Sequence, residues 1–247
     1  MRVAWLHASL QVRLFFRSPV FVITVLAYPT LLFLFVGAPF AGTHDFANQE
    51  LVGFAAFAML TNTFFMLGSG VAATRATHWE KWLRTLPAGG TSRLMGRVLG
   101  TLPFACISAT TVAIVASVDT PARLSSGQWL RLIGLLLLGF LAFGCLALTL
   151  GYWIAPMNAG PIITVTFLVL AYTGNLWASV RPLPATLQTV ARFMPSAYWH
   201  GMMVSSIQRE PIALTSLFGL VGYTLVFGVL AVAGFQRDSQ RAPWLQQ

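Results

Sequence analysis

The stretch LIGLLLLGFLAFGCLALTLGYWIAPMNAGPIITVTFLVLAYTGNLWASV, residues 132–180, contains no Asp, Glu, Lys or Arg. As one helix it would extend for about 74 Å, more than twice a hydrocarbon core of about 30 Å. Pro156, Asn158, Gly160 and Pro161 interrupt it with turn and helix-stop residues. It therefore divides into two membrane spans, near 130–153 and 161–180. Charge-free stretches elsewhere are 18–44, 51–74, 98–118 and 211–236, each the length of one span. The expected spans are six, about 19–39, 51–73, 98–118, 130–153, 161–180 and 212–235. Each must be helical, because lipid offers no partner to unpaired backbone groups, and the short alternating segments of a barrel are absent. The expected fold class is all-α integral membrane, a single transmembrane domain over 1–247. Pro29 and Pro103 fall inside spans, where local kinks are expected.

Composition points the same way. Of 247 residues 57% are apolar and only 9% charged, against about 25% charged in an average soluble domain. Lipid is the solvent that suits such a chain. The net charge of +9 is not a nucleic-acid footprint, because the charges sit between apolar runs, and no nucleic-acid partner is expected. Cys106 and Cys145 both lie in apolar stretches and read as buried free thiols. Two cysteines give neither a disulfide framework nor a metal spacing, and no metal site is expected.

The distribution of Arg and Lys sets the orientation. An even number of spans puts both termini on one side, with Arg2, Arg13, Arg17, Arg75, Lys81, Arg84, Arg93, Arg97, Arg237 and Arg241. Arg123, Arg131, Arg181, Arg192 and Arg209 fall on the other, with Asp45, Glu50, Asp119 and Glu210. The richer side is cytoplasmic, so the expectation is a multi-pass protein of the cytoplasmic (inner) membrane with both termini inside.

Three segments do not span. In residues 1–17, Arg2, Ser9, Arg13 and Arg17 fall within an arc of about 80° on a helical wheel, with apolar residues opposite. This reads as a helix lying in the interface, its arginines on headgroups. The cytoplasmic connection 75–97 holds Trp79, Glu80, Lys81, Trp82, Leu83, Arg84, Leu86 and Pro87. Two Trp and two Leu beside charge read as a short amphipathic helix for docking a protein, or as Trp at headgroup level. Residues 181–210 are punctuated by Pro182, Pro184 and Pro195, with Leu187, Val190, Ala191 and Met194 at helical spacing. Two short helices that dip into the outer leaflet and return fit that pattern.

The missing chemistry is as informative. Lys81 is the only lysine and no glycine precedes it, so a Gly-Lys-Ser/Thr phosphate loop is impossible and no cofactor is expected on this chain. The spans carry essentially no ionisable pair, which disfavours an ion-coupled relay and an intramembrane enzyme alike. No catalytic residue is nominated. The mild polar groups Thr61, Asn62, Thr63 and Asn175 read either as helix–helix hydrogen bonds or, in the sharper reading, as a translocation path formed by Asn62, Phe64, Phe65, Asn175 and Trp177.

The pattern resembles the type-2 ABC exporter permeases, the drug, lipid and polysaccharide exporter kind, over nearly the whole chain. Phe16-Arg17-Ser18-Pro19 leads into a span containing Pro29, as in the family's basic elbow. Leu83-Arg84-Thr85-Leu86-Pro87, then Arg93-Leu94-Met95-Gly96-Arg97, resembles its coupling segment. Where members often have Arg-Glu-x-Gly-Thr, this chain has Thr77-His78-Trp79-Glu80. Leu183-Pro184, Leu187-Gln188 and Met194-Pro195-Ser196-Ala197-Tyr198 resemble the re-entrant region before the last span.

The resemblance implies that ATP and Mg are bound by a separate ABC ATP-binding subunit, present in two copies and docked on 79–87. A second, identical protomer would complete the path. The expected function is the permease of an ATP-driven exporter, for an amphipathic substrate such as a drug, antibiotic or lipid. Alternatives are an ion-coupled secondary transporter or channel, or a membrane assembly or immunity factor that moves nothing.

Overall fold

The computed structural model describes residues 19–75, 77, 90–177 and 185–240. Helix α1, Pro19–Leu32, runs on through a π turn (Phe33–Gly37) and a 3-10 turn (Ala38–Phe40). Helix α2 is His44–Thr63, carried through a π turn (Phe64–Ser69) into Gly70–Arg75. There follow α3 (Gly90–Asp119), α4 (Ser126–Trp153), α5 (Pro156–Thr173), α6 (Ala185–Ala191), α7 (Pro195–Ile207) and α8 (Leu214–Gln240). No strand occurs among the described residues. Among the described residues five helices are long and apolar enough to cross a membrane: His44–Arg75, Leu94–Asp119, Ser126–Trp153, Pro156–Thr173 and Leu214–Gln240. The first apolar helix, over Val25–Phe40, is shorter.

Helix α2 forms the axis of the protomer. Every residue from Leu51 to Phe64 is buried, and α1, α3, α4, α5 and α7 pack around it. Helix α8 lies outside, against α4 and α7, and leaves Phe218, Leu225 and Val229 largely exposed. An outer helix with apolar residues on its open face suits lipid, not water.

Several ends differ from the sequence expectation, each for a local reason. Helix α2 begins at His44, seven residues before its charge-free stretch. Asp45 in its first turn suits the positive end of the helix dipole, and the Thr43 side chain accepts from Phe46 N at 3.5 Å. Glu50, expected outside the span, is therefore inside the helix and buried. Helix α3 begins at Gly90, so Arg93 and Arg97 ride on its first two turns and the connection expected over 75–97 shortens. Helix α4 begins at Ser126, where Gln128 Oε1 accepts from Ser125 N at 2.7 Å to close a capping box.

The break in the long apolar stretch falls at Ile154–Ala155, both extended. Pro156 opens α5, where its missing N–H is no loss, and Pro161 sits inside the helix. Helix α5 then stops at Thr173, seven residues short of the expected 180. Pro29 inside α1 leaves the Val25 carbonyl without its helical donor, and Ser108 Oγ of α3 donates to it at 3.1 Å. The expected elbow helix with Arg2, Arg13 and Arg17, and the docking segment Trp79, Glu80, Lys81, Trp82, Leu83, Arg84, Leu86 and Pro87, lie outside the described residues.

Candidate functional site

Of the residues nominated for a path, Phe64, Phe65 and Trp177 come together around two further rings. Phe57 lies 5.4 Å from Phe167 and 5.2 Å from Trp177 between ring centroids. Phe167 in turn meets Phe65 at 5.7 Å and Phe64 at 6.3 Å. The π turn of α2 sets adjacent Phe64 and Phe65 apart in exposure: Phe64 is fully buried and Phe65 is 39% exposed. Asn62 is buried, and its Nδ2 donates to Ala58 O one turn back at 2.9 Å. Thr61 and Thr63 bond back to Phe57 O and Met59 O in the same way. These polar side chains serve their own helix. Asn175 ends α5. Its φ of 53° is left-handed, and Leu176 N donates to Ala171 O while Asn175 N donates to Tyr172 O, both at 3.0 Å. That is a Schellman cap, for which Asn is a favoured non-glycine residue.

Helix α7 is tied to α4 at two heights. Met194 is extended, the conformation favoured before proline, and Pro195 starts α7. Trp199 is wholly buried, and its Nε1 donates to Leu135 O in the middle of α4 at 2.7 Å. The indole fills the place of a side chain at Gly139, where a Cβ would lie 2.1 Å from its Cε2. At the other end of α7, Ile207 O accepts from Gln128 Nε2 in the first turn of α4. Helix α7 thus runs from the middle of α4 back to its start. Tyr198 packs on Gly219 of α8, Leu187 lies in α6, and Pro184 is outside the described residues. His200 Nε2 is buried without a hydrogen-bond partner among the described residues, and burial lowers the imidazole pKa to about 4.

At the opposite end three helix termini meet. Arg75, the last residue of α2, donates from Nη1 to Tyr152 O at 2.5 Å and from Nη2 to Ile154 O. These are two of the last carbonyls of α4, which no helical N–H can reach. Nη1 also lies 3.7 Å from Asp238 Oδ1 on α8. Trp153 completes the junction. Its Nε1 donates to Leu230 O at 2.9 Å, its ring sits where Gly234 has no side chain, and Arg237 lies over it at 5.3 Å. Sequence reasoning treated Arg75 and Arg237 only as interfacial charges and passed over Trp153 and Asp238. The available signal was an Asp beside an Arg in the last turns of one span, with Arg at the matching end of another.

An apolar cavity of about 520 Å³ opens between α3 and α4 over Ala55 and Met59 of α2. Cys106, Ala109, Ala113 and Trp129 help to line it, and none of the nominated path residues does. Among the described residues no cluster of His, Cys, Asp and Glu fit for a metal occurs.

The bundle of long apolar helices has a counterpart among known families. The family model for the ABC-2 type transporter matches residues 4–208. The chain belongs to the ABC-2 type transporter family. It is similar to YvfS of Bacillus subtilis (strain 168), which is named as a transport permease. Identity is 19% over 235 residues, covering 94% of this chain and 96% of that one. This ABC-2 chain is accordingly a multi-pass membrane transport subunit, the permease of an ABC transporter, and its family implies an ABC ATP-binding partner.

Proposed function

We propose that two identical copies of this permease form the path of an exporter for an amphipathic substrate, driven by ATP and Mg bound to two copies of a separate ATP-binding subunit. The observation that carries the reading is the single lysine, Lys81, with no glycine before it. These 247 residues hold no phosphate loop, so in a transporter of this family ATP is bound outside them. That partner docks on 79–87, between the basic end of α2 and the start of α3, which makes this the cytoplasmic face. Helix α1 makes the sixth crossing, after the elbow of 1–17. Helices α6 and α7 dip into the outer leaflet, a reading supported by α7 spanning only about 20 Å and contacting α4 at mid-height and at its outer start. Phe65, exposed, and Trp177, half-buried, are the nominated aromatic residues with open surface and the contacts for an apolar cargo. Asn62 and Asn175 act through the backbone that they hold.

The test is purification with the ATP-binding subunit and reconstitution into liposomes. The double substitution Trp82→Ala with Leu83→Ala should separate ATP hydrolysis from export of a fluorescent phospholipid analogue. Unchanged subunit binding and unchanged export in that variant would refute the docking role.

A further inference from the structure

We infer that Arg75 is the positioning residue that carries displacement of the end of α2 to the end of α4, where α5 begins, and to the end of α8. The inference rests on the reading that 79–87 docks the ATP-binding subunit. Arg75 is the last described helical residue before that connection, and its guanidinium holds two other helices at once. Its side chain and that of Asp238 are only 10% and 15% exposed. Water therefore screens the pair weakly, and the contacts to the carbonyls of Tyr152 and Ile154 are charge-assisted. A bidentate fork of this kind fixes direction as well as distance, which one ammonium would not.

The neighbouring geometry favours transmission over simple anchoring. One carbonyl held by Arg75 is in the last turn of α4 and the other belongs to Ile154 of the extended Ile154–Ala155 joint, so moving them changes the angle at which α5 leaves α4. Six residues above Arg75 the π turn Phe64–Ser69 ends, where Gly70 N bonds to Phe65 O. The α-helical hydrogen-bond pattern is interrupted there, so Gly70–Arg75 can turn as a short unit below the buried axis of α2. On the α8 side, Asp238 takes the ion pair while Arg237 and Gly234 grip Trp153. One displacement at Arg75 thus reaches α4 through two carbonyls and α8 through the ion pair, with Trp153 as a second link between α4 and α8.

The separate contacts allow a separate test. The complex of full-length permease and ATP-binding subunit is prepared with Cys106→Ala and Cys145→Ala. Spin labels are placed at Val118→Cys with Met157→Cys, and at Val118→Cys with Gln240→Cys; all three sites are exposed. Distances are measured before and after adding Mg and a non-hydrolysable ATP analogue. In the otherwise native complex both distances should shift. Arg75→Gln should leave subunit binding and the resting distances intact and abolish both shifts. Asp238→Asn should reduce the Gln240 shift and leave the Met157 shift, since Trp153 still links α8 to α4, and it decides the matter if Arg75→Gln does not fold.

Persistence of the shifts in Arg75→Gln, or an undiminished Gln240 shift in Asp238→Asn, overturns the inference. So do altered resting distances, which would mark a purely structural role, and loss of subunit binding by Arg75→Gln, which would place Arg75 in docking. Failure of the native chain to bind the subunit sinks the docking reading itself, and the inference with it.

Discussion

The contact between Trp199 and Gly139 should behave as a lock whose halves can be exchanged. Adding a methyl at Gly139 puts a Cβ 2.1 Å from Trp199 Cε2 and 2.3 Å from Cζ2, so the indole must leave its place. Overpacking of this kind typically destabilises by about 1–3 kcal/mol. Losing the bond from Nε1 to Leu135 O adds about 1 kcal/mol. Gly139→Ala alone should therefore destabilise by about 2–4 kcal/mol. Trp199→Phe loses the same bond and leaves a void beside Gly139. In a soluble core Trp→Ala removes about 3–5 kcal/mol. Here part of that value, the transfer from water, is absent if the separated helices face lipid, so Trp199→Phe should cost about 2 kcal/mol. In the double variant the new methyl enters the vacated space, and the clash disappears. The double variant should then be no worse than Trp199→Phe, a coupling of about 2 kcal/mol or more in a double-mutant cycle. SDS titration of the purified protein in mixed micelles, followed by circular dichroism, measures it. Additivity within about 0.5 kcal/mol, or Gly139→Ala with native stability, would refute the close approach of α7 to α4.

Three further outcomes follow from single residues. Ser108→Ala should destabilise by about 1 kcal/mol in the native chain and by little in a Pro29→Ala background, because alanine restores the helical donor to the Val25 carbonyl; equal effects in both backgrounds would remove Ser108 Oγ from that role. Asn175→Gly should keep native stability, whereas Asn175→Val should lose about 1–3 kcal/mol by forcing a β-branched residue to positive φ, and thermal unfolding of the two variants separates the cases. His200 resists protonation in the folded chain down to about pH 4, whereas the unfolded chain takes up its proton near pH 6.5. Stability should therefore fall as pH drops from about 6.5 toward 4 and should not change on this account above that window. The difference in melting temperature between the native chain and His200→Gln, followed from pH 7.5 to 4, should show this slope, and a pH-independent difference would refute it.

The long helices were legible because lipid enforces one rule on every residue: a charge that cannot reach water must not be there. That rule finds the middle of a helix and not its ends. His44–Glu50 is polar enough to read as a loop, yet it continues α2, since Asp45 favours a helix start and Glu50 is buried by the surrounding helices. Arg93 and Arg97 likewise lie on a helix that begins at Gly90. Ser125-x-x-Gln128 was a readable start signal, and weighting it above the position of Arg131 would have placed the beginning of α4 correctly. Pro156 and Pro161 carry the same letter and opposite consequences, because only their distance from the helix start decides whether a missing N–H matters.

The polar side chains were the harder problem. Asn62 and Asn175 stand in apolar surroundings, as path residues would, but Asn62 bonds to a carbonyl one turn back and Asn175 is placed by its left-handed φ, its buried Oδ1 meeting no hydrogen-bond partner among the described residues. Arg75 shows the converse. Counting charges by side assigns it to an interface, and no periodicity reveals that its acceptors are carbonyls 77 and 79 residues further along. A carbonyl has no sequence identity, so an arginine that caps another helix looks like any arginine at a membrane edge. The distinguishing feature is depth: a positive-inside residue needs only water, whereas one nine-tenths buried needs specific acceptors, and those acceptors bind its helix to their own.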